Sequence, residues 1–216
     1  MWAKLNSDKD TIEEIIVNPK TMTVDGITHP RTLFSLWTDA ERKAIGIVPV
    51  TTSGTSLDER FYIEKNEAFA IAGDKNSVVR TIGVKAADKK LADEDAKDED
   101  GEQLYEDDGT TKKINYGLKT NAKNKATVSA NGLLQGFNWL IQRKVTADTA
   151  VPSAVVTYMA AVRTAHASIC TAIDNASDID AFKVLHTTEY NEDGSVKTIA
   201  KVNDWPDDSG VKGNRR

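Results

Sequence analysis

The chain has 216 residues and a formal net charge of −5, with 39% hydrophobic and 28% charged residues. This length predicts one or two domains, and the negative charge argues against general binding to nucleic-acid phosphates. No apolar run is long enough to cross a bilayer, and the single Cys170 cannot form an intramolecular disulfide.

Composition divides the chain into four stretches. Residues 1–84 are rich in β-formers, 85–116 are strongly charged, 117–186 have a helical pattern, and 187–216 are polar again. These stretches predict a β-rich N-terminal domain, an acidic linker or loop, a helical domain, and a C-terminal tail that could hold a hairpin. We therefore expect an α+β fold, in which a small β-rich domain with one short helix precedes an antiparallel helical hairpin.

The N-terminal stretch predicts short strands. An apolar, β-branched run at 12–17 stops at Asn18-Pro19. Strands at 21–24 and 27–29 flank Asp25-Gly26, a dipeptide typical of a two-residue hairpin turn because both turn positions need a positive φ. Further strands are expected at 61–63 and 68–71, which we predict to pair with each other, and at 77–84.

One short helix is predicted within this stretch. Thr38 and Glu41 form a capping-box pattern, and Gly46 suits a left-handed helix end. The apolar residues around this helix are expected to make a modest core: Phe34, Leu36, Trp37, Ile45 and Ile47.

The acidic stretch from Asp88 to Asp108 permits two interpretations. Clustered carboxylates could bind calcium, which prefers several oxygen ligands. Neither Asp93 nor Asp98 starts a loop with glycine at the sixth position, so the EF-hand pattern fails in both registers. We favour a solvated charged loop, because blocks of like charge repel each other and stay exposed.

The helical stretch predicts three main helices. The first carries one face at helical spacing, made of Leu118, Ala122, Ala126, Ser129 and Leu133. Asn138 is expected to cap a short second helix. Pro152 is expected to start a long third helix that ends near Asn175. Ser177 and Asp180 are expected to cap a last short helix through Leu185.

The long helix carries an apolar seam at heptad-like spacing, which consists of Val155, Tyr158, Val162, Ala165, Ile169 and Ala172. The seam either packs on the chain's own core or forms an interface with another copy or a partner. Periodicity is the same in both cases, so the sequence leaves both open.

Catalytic patterns are sparse. His166 and Cys170 lie four residues apart on the predicted helix, and such a pair could activate a thiolate, although a buried structural cysteine is commoner. No glycine-rich phosphate loop or zinc-ligand spacing is present. We therefore predict no catalytic residues, no metal and no cofactor. The basic residues 212–216 are expected to form a solvated tail.

Several segments resemble small tail-associated proteins of tailed bacteriophages, particularly marine ones. They span nearly the whole chain, at residues 1–3, 29–41, 44–47, 117–120, 139–144, 151–152 and 158–164. The stretch from Trp139 to Lys144, followed by the proline-led helix, is also similar to the end of phage tail fibre assembly and tail assembly chaperone proteins. The resemblance implies a context and brings no catalytic residues.

The resemblance implies a non-enzymatic phage tail protein, a virion component at the tail or tail fibre that works by protein–protein docking. Its partners would be other tail or tail fibre proteins, with self-association open, and without nucleic acid, membrane or small-molecule substrate. It would lie in the virion tail, and in the host cytoplasm during assembly. The residues expected to form the protein interface are Trp139, Arg143, Val155, Tyr158, Val162 and Ile169.

Two alternatives accompany this prediction. The first is a tail fibre assembly chaperone that is absent from the mature virion or bound only at its tip. The second is a small hydrolase that uses Cys170 with His166.

Overall fold

The computed structural model describes residues 1–215, which form two compact units that divide after Asp88. The acidic stretch and the C-terminal stretch both belong to the second unit, apart from residues 85–88. The mixed α+β fold agrees with the prediction, since a β-rich unit precedes a helical one.

The first unit contains nine short strands and two short helices. The strands are β1 (Trp2–Leu5), β2 (Ile12–Ile16), β3 (Met22–Val24), β4 (Ile27–His29), β5 (Ile47–Ser53), β6 (Tyr62–Glu64), β7 (Ala68–Ile71), β8 (Val78–Thr81) and β9 (Lys85–Asp88). The helices are α1 (Leu33–Leu36) and α2 (Asp39–Ala44). The prediction of one short helix missed α1.

Five of these strands form one sheet in the order β2-β1-β5-β8-β7. Strands β5 and β8 run parallel, and the other neighbours run antiparallel. The remaining strands form the two-stranded ribbons β3-β4 and β6-β9. The chain between β5 and β8 holds β6 and β7, which were predicted to pair with each other but pair with β9 and β8 instead.

Alternation along the strands separates two buried clusters. Trp2, Ile16 and Ile47 belong to the cluster that packs with α1 and the β3 strand, whereas Ala3 and Val48 belong to the other. Phe34 and Ile47 are buried as predicted, and Trp37 and Ile45 are partly buried. Leu36 was wrongly placed in this core. Its side chain is 77% exposed, because α1 is a single turn that buries only Leu33 and Phe34.

The local turn predictions for this unit are confirmed. Asp25 and Gly26 join β3 to β4 with φ values of 50° and 79°. Thr38 and Glu41 form both hydrogen bonds of the capping box at the start of α2. Gly46 follows that helix with a φ of 76°. These features depend on a few neighbouring residues, so sequence alone could predict them.

Gly83 lies where two backbone segments approach closely. Its φ is +73°, and a Cβ there would overlap the Thr55 carbonyl oxygen. Gly26 also has a positive φ but has open space around it. We expect Gly83→Ala to lower the free energy of unfolding of the first unit by about 3 kcal/mol, and Gly26→Ala by only about 1 kcal/mol.

Peptide-resolved hydrogen exchange in urea would measure both variants on the first unit alone. Gly26→Ala is the control, because it measures the cost of a side chain at positive φ without any overlap. Equal losses of unfolding free energy in the two variants would contradict the close backbone approach at Gly83.

Up to residue 215, the second unit contains four α-helices, two short 3₁₀-helices (Lys201–Asn203 and Lys212–Asn214) and two ribbons. The α-helices are α3 (Leu118–Gln135), α4 (Asn138–Ala147), α5 (Ser153–Asn175) and α6 (Ile179–Val184). The ribbon strands are β10 (Glu94–Asp95) and β11 (Ile114–Asn115), then β12 (Glu189–Tyr190) and β13 (Val196–Thr198).

Helices α3 and α5 pack antiparallel. Lys123 near the start of α3 pairs with Asp174 at the end of α5, at 2.8 Å. Thr127, one turn later in α3, lies 3.1 Å from His166, two turns earlier in α5. The face of α3 that packs here is made of small residues, with Ala122, Ala126 and Ala130 buried. Ser129, which we predicted on this face, is exposed.

Two helix caps differ from prediction. Helix α4 begins after Phe137, and Asn138 is its first helical residue, so Asn138 does not cap it. Helix α6 is capped by Asp178, whose side chain accepts a hydrogen bond from the Ala181 amide at 2.8 Å. Neighbouring polar residues can all serve as caps, and the position of the first helical turn decides between them.

The C-terminal residues form a folded segment, which corrects the prediction of a solvated tail. Residues 205–215, here called the C-terminal strap, pack on the helices of the second unit, with Trp205 and Val211 in their hydrophobic cluster. Val211 is only 4% exposed. Arg216, the last residue of the predicted basic tail, lies outside the described residues.

Candidate functional site

The predicted interface seam lies inside the second unit. Val155, Val162 and Ile169 are fully buried, and Tyr158 is 5% exposed. Val155, Tyr158 and Val162 share a hydrophobic cluster with Phe137, Leu140 and Val211 of the strap, so this part of the seam serves the chain's own core. In this fold these four side chains offer no surface to a partner, which corrects their assignment as interface residues.

Trp139 and Arg143 lie nearer the surface. The Arg143 guanidinium stacks over the Trp139 ring, one helical turn away, at 5.0 Å from its centroid. The Trp139 indole N–H donates to the Asn214 carbonyl at 2.9 Å. Trp139 therefore holds the C-terminal strap, a structural role that the sequence did not indicate.

Arg215 fastens the end of the strap. Its guanidinium lies 3.0 Å from the Asp208 carboxylate and donates to the Tyr158 hydroxyl at 3.3 Å. It also stacks over the Phe137 ring at 5.4 Å. The Arg215 stem passes beside Gly136, where an added Cβ would lie 3.1 Å from Arg215 Cγ. The missing side chain at Gly136 makes room for this arginine.

The Cys170 and His166 side chains meet as the helical spacing predicted. Cys170 Sγ lies 3.5 Å from His166 Nε2, which also contacts the Thr127 hydroxyl. Burial raises the pKa of the Cys170 thiol above its ordinary value. A nucleophilic thiolate requires a lowered pKa. The environment of Cys170 raises the pKa of its thiol, which disfavours the thiolate.

Alkylation would test the protonation state of this thiol. Because Cys170 is the only cysteine, iodoacetamide labels one site. We expect slow alkylation at pH 7 that accelerates only at a pH above the titration of a free cysteine. His166→Ala should leave the rate at pH 7 undiminished, whereas a fall in rate would support an activated Cys–His pair.

The same shift links this thiol to stability. The folded-state pKa is raised, so the protonated thiol contributes its full stability below the unfolded-state pKa, and that contribution is lost as pH rises through the folded-state pKa.

The acidic stretch is an ordered meander. Its backbone makes a cycle of three hydrogen bonds, from Ala96 to Lys113, from Lys113 to Leu104 and from Leu104 back to Ala96, each 2.8–2.9 Å long. Among residues 1–215, no group of three or more His, Cys, Asp or Glu side chains could hold a metal ion. The carboxylates serve the turns of the meander. Asp108, for example, accepts three hydrogen bonds from Thr110 and Thr111, which lower its pKa to about 2.

Two hairpins of the second unit share a sequence pattern that was not recognised in the sequence analysis. Residues 105–112 read Tyr-Glu-Asp-Asp-Gly-Thr-Thr-Lys, and residues 190–197 read Tyr-Asn-Glu-Asp-Gly-Ser-Val-Lys. We call them the tyrosine hairpins. In both, tyrosine lies three residues before the aspartate of an Asp-Gly dipeptide, and lysine lies four residues after that aspartate. An alignment of the two Asp-Gly dipeptides shows this pattern.

The tyrosine hairpins also share their geometry. In each, the aspartate accepts hydrogen bonds from the residues after the glycine, and the glycine has a φ of 68° or 82°. In each, the glycine amide donates to the carbonyl three residues earlier at 2.9 Å. The tyrosines Tyr105 and Tyr190 are 46% and 63% exposed. Each hairpin thus holds an exposed tyrosine beside an acidic turn that is closed by hydrogen bonds.

No protein family matches the chain, and neither curated proteins nor solved structures include a match. Within residues 1–215, none of the helices combines the length and the apolar character that a membrane crossing requires.

Proposed function

We propose that this protein is a non-enzymatic structural component of a bacteriophage tail or tail fibre, and that it works by docking onto neighbouring tail proteins. Two things support the proposal. The first is the resemblance of segments along the chain to tail-associated phage proteins. The second is the pair of tyrosine hairpins on the second unit.

The tyrosine hairpins are the observation that carries the docking mechanism. Tyrosine is enriched at protein interfaces, because its ring buries a large area while its hydroxyl keeps a hydrogen bond. Tyr190 belongs to the β12-β13 ribbon, and a two-stranded ribbon is marginal in water unless one of its faces is covered. Each tyrosine lies three residues before an aspartate that closes the turn with hydrogen bonds, and both rings are exposed to a partner.

The docking contact would replace the buried seam as the interface. Apolar and aromatic side chains on the ribbons, including Val196 at 56% exposure, supply the contact area. The acidic turns at their tips keep the unassembled subunit soluble and favour a partner surface that carries positive charge.

Quantitative mass spectrometry of gradient-purified phage particles, compared with the lysate of infected cells, tests the proposal. A fixed stoichiometry in the particles would support a structural component. Presence in the lysate alone would contradict it and would favour the tail fibre assembly chaperone.

Substitution of the hairpin tyrosines tests the docking surface. We expect Tyr105→Ser combined with Tyr190→Ser to lower incorporation into particles by about tenfold or more, since an interface tyrosine contributes about 2 kcal/mol. Tyr116→Ser is the matched control, because Tyr116 is 61% exposed and lies outside both hairpins. Normal incorporation of the double variant, or an equal loss for Tyr116→Ser, would refute this surface.

A further inference from the structure

A polar cleft opens on the helical layer of the second unit, where the end of α3, the start of α4 and the middle of α5 meet. Its volume is about 360 Å³, which is in the range of small-molecule sites. It is lined by Asn131, Leu134, Gln135, Asn138, Met159 and Arg163. This cleft is separate from the tyrosine hairpins, and the inference drawn from it does not rest on the proposed function.

The floor of the cleft is apolar and fixed. Met159 is 6% exposed and belongs to the hydrophobic cluster of the second unit, against which Leu134 also packs. A floor held by the core keeps its shape when a ligand leaves.

The walls carry polar side chains that the chain itself does not satisfy. In the described part of the chain, the side chains of Asn131, Gln135, Asn138 and Arg163 form no hydrogen bond or ion pair with another residue. Three carboxamides offer both donors and acceptors, and one guanidinium offers donors only. Four side chains with free hydrogen-bonding capacity therefore surround one apolar floor.

Of the described residues that line the cleft, Arg163 alone carries a charge. Between Leu118 and Ile173 the chain holds six lysines and arginines and one carboxylate, Asp148. Arg163 therefore has no acidic neighbour on α3, α4 or its own part of α5. An anionic group on a ligand would supply the missing partner, in the bidentate geometry that guanidinium and carboxylate groups share.

We propose that this cleft binds a polyhydroxylated carboxylic acid of the sugar-acid class. The carboxylate pairs with Arg163, ring hydroxyls both donate to and accept from the three carboxamides, and the C–H face of the ring covers Met159 and Leu134. Inorganic phosphate fits less well, because its oxygens mainly accept hydrogen bonds and would leave the carboxamide oxygens unpaired. A neutral sugar lacks the group that pairs with Arg163.

Titration of the full-length chain with glucuronate tests the proposal. In ¹H–¹⁵N spectra, we expect saturable shifts of the side-chain amides of Asn131, Gln135 and Asn138. Glucose, acetate and inorganic phosphate, added at the same concentrations, should each bind at least about tenfold more weakly. Glucose lacks the carboxylate that pairs with Arg163, and acetate and phosphate lack the hydroxylated ring.

Two variants with the same charge change separate the site from general electrostatics. Arg163→Gln should weaken glucuronate binding by about tenfold or more, since a charge-assisted pair is lost. Lys125→Gln should not, because Lys125 is an exposed residue of α3 that does not line the cleft. Circular dichroism would show that both variants keep their helices.

The proposal is overturned if glucuronate causes no saturable shift, or if acetate or phosphate binds as tightly. It also fails if Lys125→Gln weakens binding as much as Arg163→Gln does. Since the titration uses the isolated chain, its outcome does not depend on whether the protein enters phage particles.

Discussion

Replacement of Arg42 by methionine is expected to lower the free energy of unfolding of the first unit by about 3–5 kcal/mol, because it leaves buried polar groups without a partner. Arg42 is 7% exposed, and its guanidinium donates to the carbonyls of Leu33, Phe34 and Trp37. The Leu33 carbonyl also accepts a hydrogen bond from the Trp37 amide, whereas the carbonyls of Phe34 and Trp37 lie at and just after the end of α1, where partners within the helix are lacking.

Two further contacts make Arg42 difficult to replace. It pairs with Asp39 at 2.6 Å, and its guanidinium lies 4.3 Å from the centroid of the Trp2 ring in β1. One side chain on α2 therefore connects α1, α2 and the sheet. Lysine cannot reproduce this planar set of donors, so Arg42→Lys should recover only part of the loss.

Urea unfolding followed by hydrogen exchange of peptides from residues 1–53 would measure this effect in the first unit alone. Arg31→Met is the control, because Arg31 is exposed and should cost no more than about 0.5 kcal/mol. If the Arg42 and Arg31 variants were equally stable, the guanidinium would not hold the three elements together.

Replacement of Val211 by aspartate is expected to destabilise the second unit by about 3–5 kcal/mol, since a charge would enter a hydrophobic cluster without a partner. Val211 is 4% exposed and packs in the cluster that contains Phe137 and Tyr158. Detachment of the C-terminal strap would relieve the charge, but it would expose this cluster and break the contacts of Trp139 and Arg215.

Val128→Asp is the matched control for this prediction. Val128 lies in the middle of α3 and is 71% exposed, so the same substitution there adds no buried charge. Hydrogen exchange of peptides from 137–162 would report release of the strap as faster exchange at its docking site. Unchanged exchange in Val211→Asp would contradict a packed strap and would return the C-terminus to the predicted solvated tail.

The features that were predicted correctly from the sequence depend on residues that lie close together along the chain. The Asp25-Gly26 turn, the capping box at Thr38 and the end of α5 at Asn175 each depend on residues within a few positions of each other. Backbone sterics and local hydrogen bonds determine such features, and both can be read from consecutive residues.

The predictions that were wrong concern strand pairing, in which a strand's partners lie far away along the chain. Strands β6 and β7 were predicted correctly in type but were given each other as partners, whereas β6 pairs with β9 and β7 with β8. Strand β1 was missed because its four residues carry little pattern without the two strands that flank it. A strand's hydrogen bonds lie outside its own segment, so local sequence cannot choose among its neighbours.

The candidate site shows the same limit. Helical spacing placed Val155, Tyr158, Val162 and Ile169 on one seam, but only the fold shows that all four are buried and that the first three pack with the C-terminal strap and α3. The cleft around Arg163 brings together residues from three helices, and no sequence motif marked them.

The sequence by itself determined the mixed α+β class, the order of its β-rich and helical parts, the main turns and the faces of the long helices. Only the tertiary structure decided which strands pair, that the C-terminal strap packs on the helices of the second unit, and which polar side chains are left without partners. The physical reason is the range of the interactions. Hydrophobic periodicity and turn formation depend on residues that are near each other along the chain, whereas burial and hydrogen-bond pairing depend on segments that the fold brings together.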